Sequence, residues 1–184
     1  MKNKIIFLLF ILLFSPLILA DEKVNICYGY GCLVQKEIII LESELKPLVF
    51  KIQSAENAEN ERQKIANVIG QLYQIAGRQS PIFQDKAGNF NDPPSGKMDC
   101  IDHSTTTDRF LKILDARSAF KWHKIAPIQQ RFFAFLFPSH YSAAIAEKNA
   151  ENQIFVVDSW FVDHGESAII LPLAEWKNGG GPDV

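Results

Sequence analysis

Cys100, His140 and Asp158 are the residue types that thiol catalysis requires. A cysteine attacks as its thiolate, so a base must take the proton and a third group must orient that base. Cys100 stands where a loop-like stretch, Ser80 to Gly96, gives way to a helical pattern from Ile101 to about Ala116. A helix start presents unpaired N–H groups and partial positive charge, which lower a thiol pKa and can hold an oxyanion. Asp99 suits the capping position before such a helix. Asp99 and Asp102 also flank the thiol, and carboxylates this close raise a thiol pKa unless they point away.

Four histidines compete for the role of base: His103, His123, His140 and His164. His103 lies one turn beyond Cys100 and reads as a solvated first-turn residue, while His123 and His164 fall in loops. His140 opens an apolar run, and Asp158 lies within the next one, Ile154 to Phe161, 18 residues later. A polar turn, Glu147 to Glu151, makes the two runs a hairpin. With the turn near Lys148 to Glu151, residue 140 would stand roughly opposite 158, close enough for an imidazole–carboxylate hydrogen bond. Asp158 follows Phe155-Val156-Val157 and so needs a polar partner. Trp160 would lie beside the pair, with Gln84, Asn89 and Asn91 as side chains able to reach a substrate or its oxyanion.

These residues resemble the transglutaminase-like superfamily, in the motifs G-K-M-D-C-I-D, H-Y-S-A-A-I and F-V-V-D-S-W between about Gly96 and Trp160. The resemblance implies a papain-like α+β fold and a Cys–His–Asp triad in this chain order: Cys100 as nucleophile, His140 as base, Asp158 as orienter. It also implies amide chemistry through a thioester, as in transglutaminases, deamidases and periplasmic transglutaminase-like cysteine proteinases. More narrowly, the chain is similar to a family of exported bacterial proteins sharing C-Y-x-Y-G-C near the start, then D-C-I-D and V-D-S-W-F. Transglutaminases often carry a tryptophan beside the cysteine, whereas the neighbours here are Asp99 and Ile101.

The elements that must position these groups can be read from patterning. Residues 1–20 have the form of a secretory signal: Lys2 and Lys4, an apolar run from Ile5 to Phe14, a break at Ser15-Pro16, and Ala20 before Asp21. The run is short for a membrane span, which needs about 20 apolar residues. Residues 21–184 then form one domain, placed in the periplasm or outside the cell. In an oxidising compartment Cys27 and Cys32, with Gly29 and Gly31 between them, form a disulfide and leave Cys100 free. A strand is expected over Leu33 to Leu41. A helix capped by Ser43 follows, with Leu45, Leu48, Val49 and Ile52 on one face and Pro47 in its first turn. Ile65, Val68, Ile69, Leu72 and Ala76 mark a second helix that Gly77 ends, with Glu56 to Lys64 on its wet side.

Arg131 to Phe137 reads as extended and aromatic, Ala168 to Leu173 as a last strand, and Asn178 to Val184 as a loose tail. Helices first and strands later give an α+β class, with N-terminal helices packed on an antiparallel sheet. The net charge of −2 offers nothing to nucleic acid. Asp85 to Asn89 lacks the alternating ligands of a calcium loop, and Cys100, His103 and His140 lack a fourth ligand for zinc, so no metal or cofactor is expected. The expected partner is a peptide or protein substrate, with no membrane contact once the leader is removed. A non-enzymatic binding module that retains the fold is the rival reading.

Overall fold

The computed structural model describes residues 20–89, 95–132, 139–149 and 153–183. The leader, Asn91 and the aromatic stretch 133–137 lie outside the described residues. The chain opens with an antiparallel hairpin, β1 (Glu22–Tyr28) and β2 (Val34–Ile40), paired from Glu22 with Ile40 to Tyr28 with Val34. Val24, Ile26, Ile38 and Ile40 turn inward, while Lys23 and Glu37 pair on the wet face. The hairpin is docked by a hydrogen bond from Cys27 N–H to Thr106 Oγ1, 2.9 Å.

Helix α1 (Glu42–Gln53) buries Leu45, Leu48 and Ile52. It starts one residue before Ser43, with Leu41 N–H received by Glu44 rather than any cap from the serine. Pro47 therefore falls in the second turn, where burial of Leu45 and Leu48 holds the helix despite the missing donor. Helix α2 (Ala58–Gly77) is capped by the Asn57 side chain, which accepts from Asn60 N–H at 2.8 Å. Its expected apolar stripe is buried. Gly77 does not stop the helix in a left-handed turn; it is the last helical residue, and a Cβ there would strike the His164 ring. A short 3-10 turn, Pro81–Gln84, leads toward α3 (Cys100–Ala116).

The second sheet is a four-stranded antiparallel meander: β3 (His123–Arg131), β4 (His140–Glu147), β5 (Ile154–Asp158) and β6 (Ile169–Pro172). Pro127 is tolerated because β3 is an edge strand and its pairing is irregular between Ala126 and Gln129. One face of the meander, with Ala143, Ile145, Phe155 and Val157, packs into the core formed with Ile69, Leu72, Phe110 and Leu111. The other face is closed by Val156, Phe161 and Trp176, the last from helix α4 (Leu173–Lys177). With helices, two antiparallel sheets and this order of elements, the protein is α+β. Among the described residues no helix is long and apolar enough to cross a membrane.

Two polar residues depart from their expected places. Glu61 lies on the buried side of α2, not the wet side, and His123 is a strand residue rather than a loop residue; both are fully buried. His123 Nδ1 and Glu61 Oε2 are 2.6 Å apart, and Glu61 also accepts from Lys121 and Trp122 N–H. Arg62 continues the network to Glu147 at 2.9 Å and lies over the Phe155 ring. Burial pushes the Glu61 carboxyl up, but the hydrogen bonds from His123, Lys121 and Trp122 outweigh it and hold the group below its ordinary range.

Glu61→Ala leaves buried donors without an acceptor and is expected to cost about 3 kcal/mol in urea unfolding at pH 7. Because the folded-state pKa is depressed, this contribution is present above the ordinary glutamate value and is lost as pH falls through the folded value. The difference between wild type and Glu61→Ala should therefore shrink on acidification below about pH 4.

Candidate functional site

Cys100 is the first residue of α3, and Asp99 is its cap: one Asp99 oxygen accepts from Ile101 N–H at 3.0 Å and from Asp102 N–H at 2.9 Å. Asp102 answers by accepting from Asp99 N–H at 3.1 Å. The remaining capacity of both carboxylates is filled by the disulfide loop. Cys27 and Cys32 are bonded, and Gly29, Tyr30, Gly31 and Cys32 all have positive φ, 58° to 81°. Glycine takes this conformation freely, whereas Tyr30 and Cys32 do so at a cost of about 1–2 kcal/mol each. The run turns successive N–H groups inward: Tyr30 N–H to Asp102 at 2.8 Å, Gly31 N–H to Asp99 at 2.8 Å and Cys32 N–H to Asp102 at 2.7 Å. The carboxylates thus point away from the thiol and into backbone donors.

Asp102 nevertheless feels its surroundings. Burial first, and the Asp99 charge second, push it up to about 6 against the pull of the three N–H donors. Cys100 is half-buried, and its sulfur makes a long 3.8 Å contact to the Ser139 carbonyl. The thiol is pushed up to about 11, mainly by burial and further by the Asp99 and Asp158 charges; the Tyr141 and Cys100 N–H groups pull the other way. This direction is opposite to the lowering expected from a helix start. The helix end acts, but desolvation outweighs it.

Ser139 and Tyr141 flank His140, so the sulfur lies against the backbone on both sides of the candidate base. His140 Nε2 donates to Asp158 Oδ2 at 2.8 Å, with both side chains buried. The strand register differs from the expected one. Ala143 pairs with Val157, so continuation of the ladder would set residue 158 against Ser142, and His140 meets Asp158 diagonally along one face. Long side chains span that diagonal.

Asp158 has further donors. Trp176 Nε1 gives it a hydrogen bond at 2.9 Å, and Trp160 N–H reaches its other oxygen at 3.2 Å. The rings of Trp160, Phe161 and Trp176 surround His140 with centroids 4.7, 5.4 and 5.5 Å away. Arg131, opposite His140 in the sheet, lies over Trp176 and donates to the carbonyls of Trp176 and Gly180 at 2.7 and 3.0 Å. The segment after Asn178 is accordingly held at Gly180 rather than loose. Sequence reading missed Trp176 and Arg131. A buried indole needs a partner for its N–H, but its sequence distance from Asp158 gives no sign of which one.

Asn89 is buried with its amide directed at Asp85 Oδ1, 3.1 Å, while its carbonyl accepts from Trp160 Nε1 at 3.2 Å. Its backbone thus braces Trp160, and its side-chain amide is engaged by Asp85. Gln84 is exposed, with its carbonyl taken by Lys97. Among the described residues no group of three or more His, Cys, Asp or Glu side chains forms a metal site. In comparison with known proteins, no family model, no curated protein and no solved structure matches the chain.

Two measurements check the helix-start assembly. Cys27→Ser with Cys32→Ser is expected to cost about 2 kcal/mol in thermal or urea unfolding by the chain-entropy account of a short loop. Asp102 has a raised folded-state pKa, so its contribution is fully present below the ordinary aspartate value and is lost as pH rises through about 6. Stability should fall between about pH 4 and pH 6 on this account, and Asp102→Asn, less stable throughout, should lack that component.

Proposed function

We propose that the chain is an exported thiol enzyme of the transglutaminase-like kind, working in the periplasm or outside the cell on peptide or isopeptide amides. The observation that carries this reading is the His140–Asp158 hydrogen bond, formed beside a half-buried thiol at a helix start. With Nε2–H given to Asp158, the neutral imidazole keeps its lone pair on Nδ1, the form a general base needs. The disulfide between Cys27 and Cys32 is compatible with an extracytoplasmic location and leaves Cys100 as the free thiol.

The chemistry follows from these groups. His140 Nδ1 takes the Cys100 proton as the sulfur attacks the amide carbonyl, and a C–S bond forms. The oxyanion is received by N–H groups at the start of α3, that of Cys100 among them. The imidazolium, steadied by Asp158, returns the proton to the leaving amine as the C–N bond breaks, leaving a thioester. Water, or a second amine, then attacks the thioester with His140 again as base, and the thiol is restored. A thiol held up at about 11 is not a standing thiolate at neutral pH. The proton must move in concert with attack, so the reading stands on His140 and not on the helix start.

The same elevated thiol favours a second reading, a binding module that keeps the fold without turnover. Iodoacetamide labelling of Cys100 between pH 5 and 10 separates the two. For the enzyme, His140→Ala should slow labelling at pH 7 at least about tenfold while keeping native near-ultraviolet dichroism. Equal rates in both proteins, rising only toward alkaline pH, would reject the thiol enzyme and leave the binding module.

A further inference from the structure

Beneath Cys100 and Asp158 lies a second set of polar side chains that the proposed chemistry does not use. His103, one turn into α3, is buried and not solvated. Its Nδ1 is 2.8 Å from Ser159 Oγ and its Nε2 is 2.9 Å from Asp85 Oδ2. Ser159 Oγ is 3.0 Å from Thr107 Oγ1 and 3.2 Å from the Tyr73 hydroxyl, which also donates to the His103 carbonyl at 3.2 Å. The other Asp85 oxygen accepts from Met98 N–H at 2.8 Å and from Asn89. Ser159, His103 and Asp85 thus have the residue types and contacts of a serine-hydrolase triad. They are all buried, however, and the adjoining cavity, lined also by Tyr73 and His164, has a volume of about 10 Å³. That is room for one water at most, not for a substrate.

The place of the set in the chain is what gives it meaning. Ser159 is the residue after Asp158, and Met98 lies two before Cys100. His103 bonds directly to the first and, through Asp85, to the second. We propose that His103, with Ser159 and Asp85, is a positioning residue that fixes the Asp158–His140 pair and the Cys100 thiol in one frame. The proposal rests on the thiol-enzyme reading and adds to it the group that sets its geometry.

Two chain segments meet in this brace, one entering α3 and one leaving β5. Their side chains must agree to within a fraction of an ångström for proton transfer from sulfur to imidazole. Each is otherwise followed or preceded by loop. A buried imidazole bonded at both ring nitrogens has one orientation, so it transmits position rather than tolerating drift. Removing the Ser159 hydroxyl unties residue 159 from His103 and lets the Asp158 carboxylate shift with the backbone, although the Trp176 indole still holds one of its oxygens and the Trp160 N–H the other.

The test is a double-mutant cycle read by iodoacetamide labelling of Cys100 at pH 7 and across the pH profile. Ser159→Ala is the mild member and His103→Gln, which keeps an amide at similar reach, the stronger one. Each is expected to slow labelling about fivefold or more in the otherwise native protein and to have no further effect in the His140→Ala background, since a misplaced partner cannot matter once it is gone. A purely structural role predicts the reverse: a lower melting temperature, with labelling unchanged or faster as the site loosens. Should His103→Gln fail to fold, Ser159→Ala decides alone. Slow labelling in His140→Ala together with a wild-type rate in Ser159→Ala would overturn this proposal and leave the thiol enzyme standing. A wild-type rate in His140→Ala would overturn both. Effects of Ser159→Ala that persist undiminished without His140 would also overturn the brace.

Discussion

The arrangement depends on how two carboxylates are disposed at the first turn of α3. Asp99 and Asp102 sit on either side of the thiol in sequence, and left to water they would oppose any negative charge forming on sulfur. The hairpin loop takes up both carboxylates by presenting three N–H groups in a left-handed run, although the Asp99 charge still adds to the rise of the thiol pKa. Asp99 then caps the helix, Asp102 closes the cap from inside, and the sulfur is left facing the β4 strand. A disulfide keeps the run in a conformation that Tyr30 and Cys32 disfavour.

On the opposite side of the sulfur the sheet and the C-terminal segment build a dry wall. Trp160, Phe161 and Trp176 surround the imidazole, and Arg131 ties Trp176 to Gly180. This enclosure explains the electrostatics. Excluding water strengthens the His140–Asp158 hydrogen bond, and the burial of Cys100 itself raises the thiol pKa. A thiol enclosed this way keeps its proton at neutral pH.

Much of this was legible in the sequence where the signal is local. The disulfide, the Asp99 cap, the apolar stripe of α2 and the β4–β5 hairpin were readable because parity, capping chemistry and periodicity act over a few residues, whereas the edge strand β3 was not. His140 and Asp158 were paired from a hairpin whose register was two residues off, and side-chain reach absorbed the error. What stayed hidden needed tertiary information. Glu61 and His123 read as surface and loop because the partner that accounts for each lies 62 positions away. His103 read as a solvated residue for the same reason, since its partners Asp85 and Ser159 are remote in sequence. The lowering of the thiol pKa expected from the helix dipole failed because a sequence does not reveal how much water a side chain retains.

The separation of contacts along the chain also sets the order in which the parts of the site become available. The hairpin is local: its cysteines are five residues apart and its strands pair through a short turn. Its acceptors, Asp99 and Asp102, come about 70 positions later. A chain made N-terminus first presents the hairpin long before the helix it caps, and the helix before the sheet that carries His140 and Asp158. The clamp is thus made before what it clamps, and the thiol's surroundings are assembled from contacts of high sequence separation, whose loop-closure entropy must be met before they form.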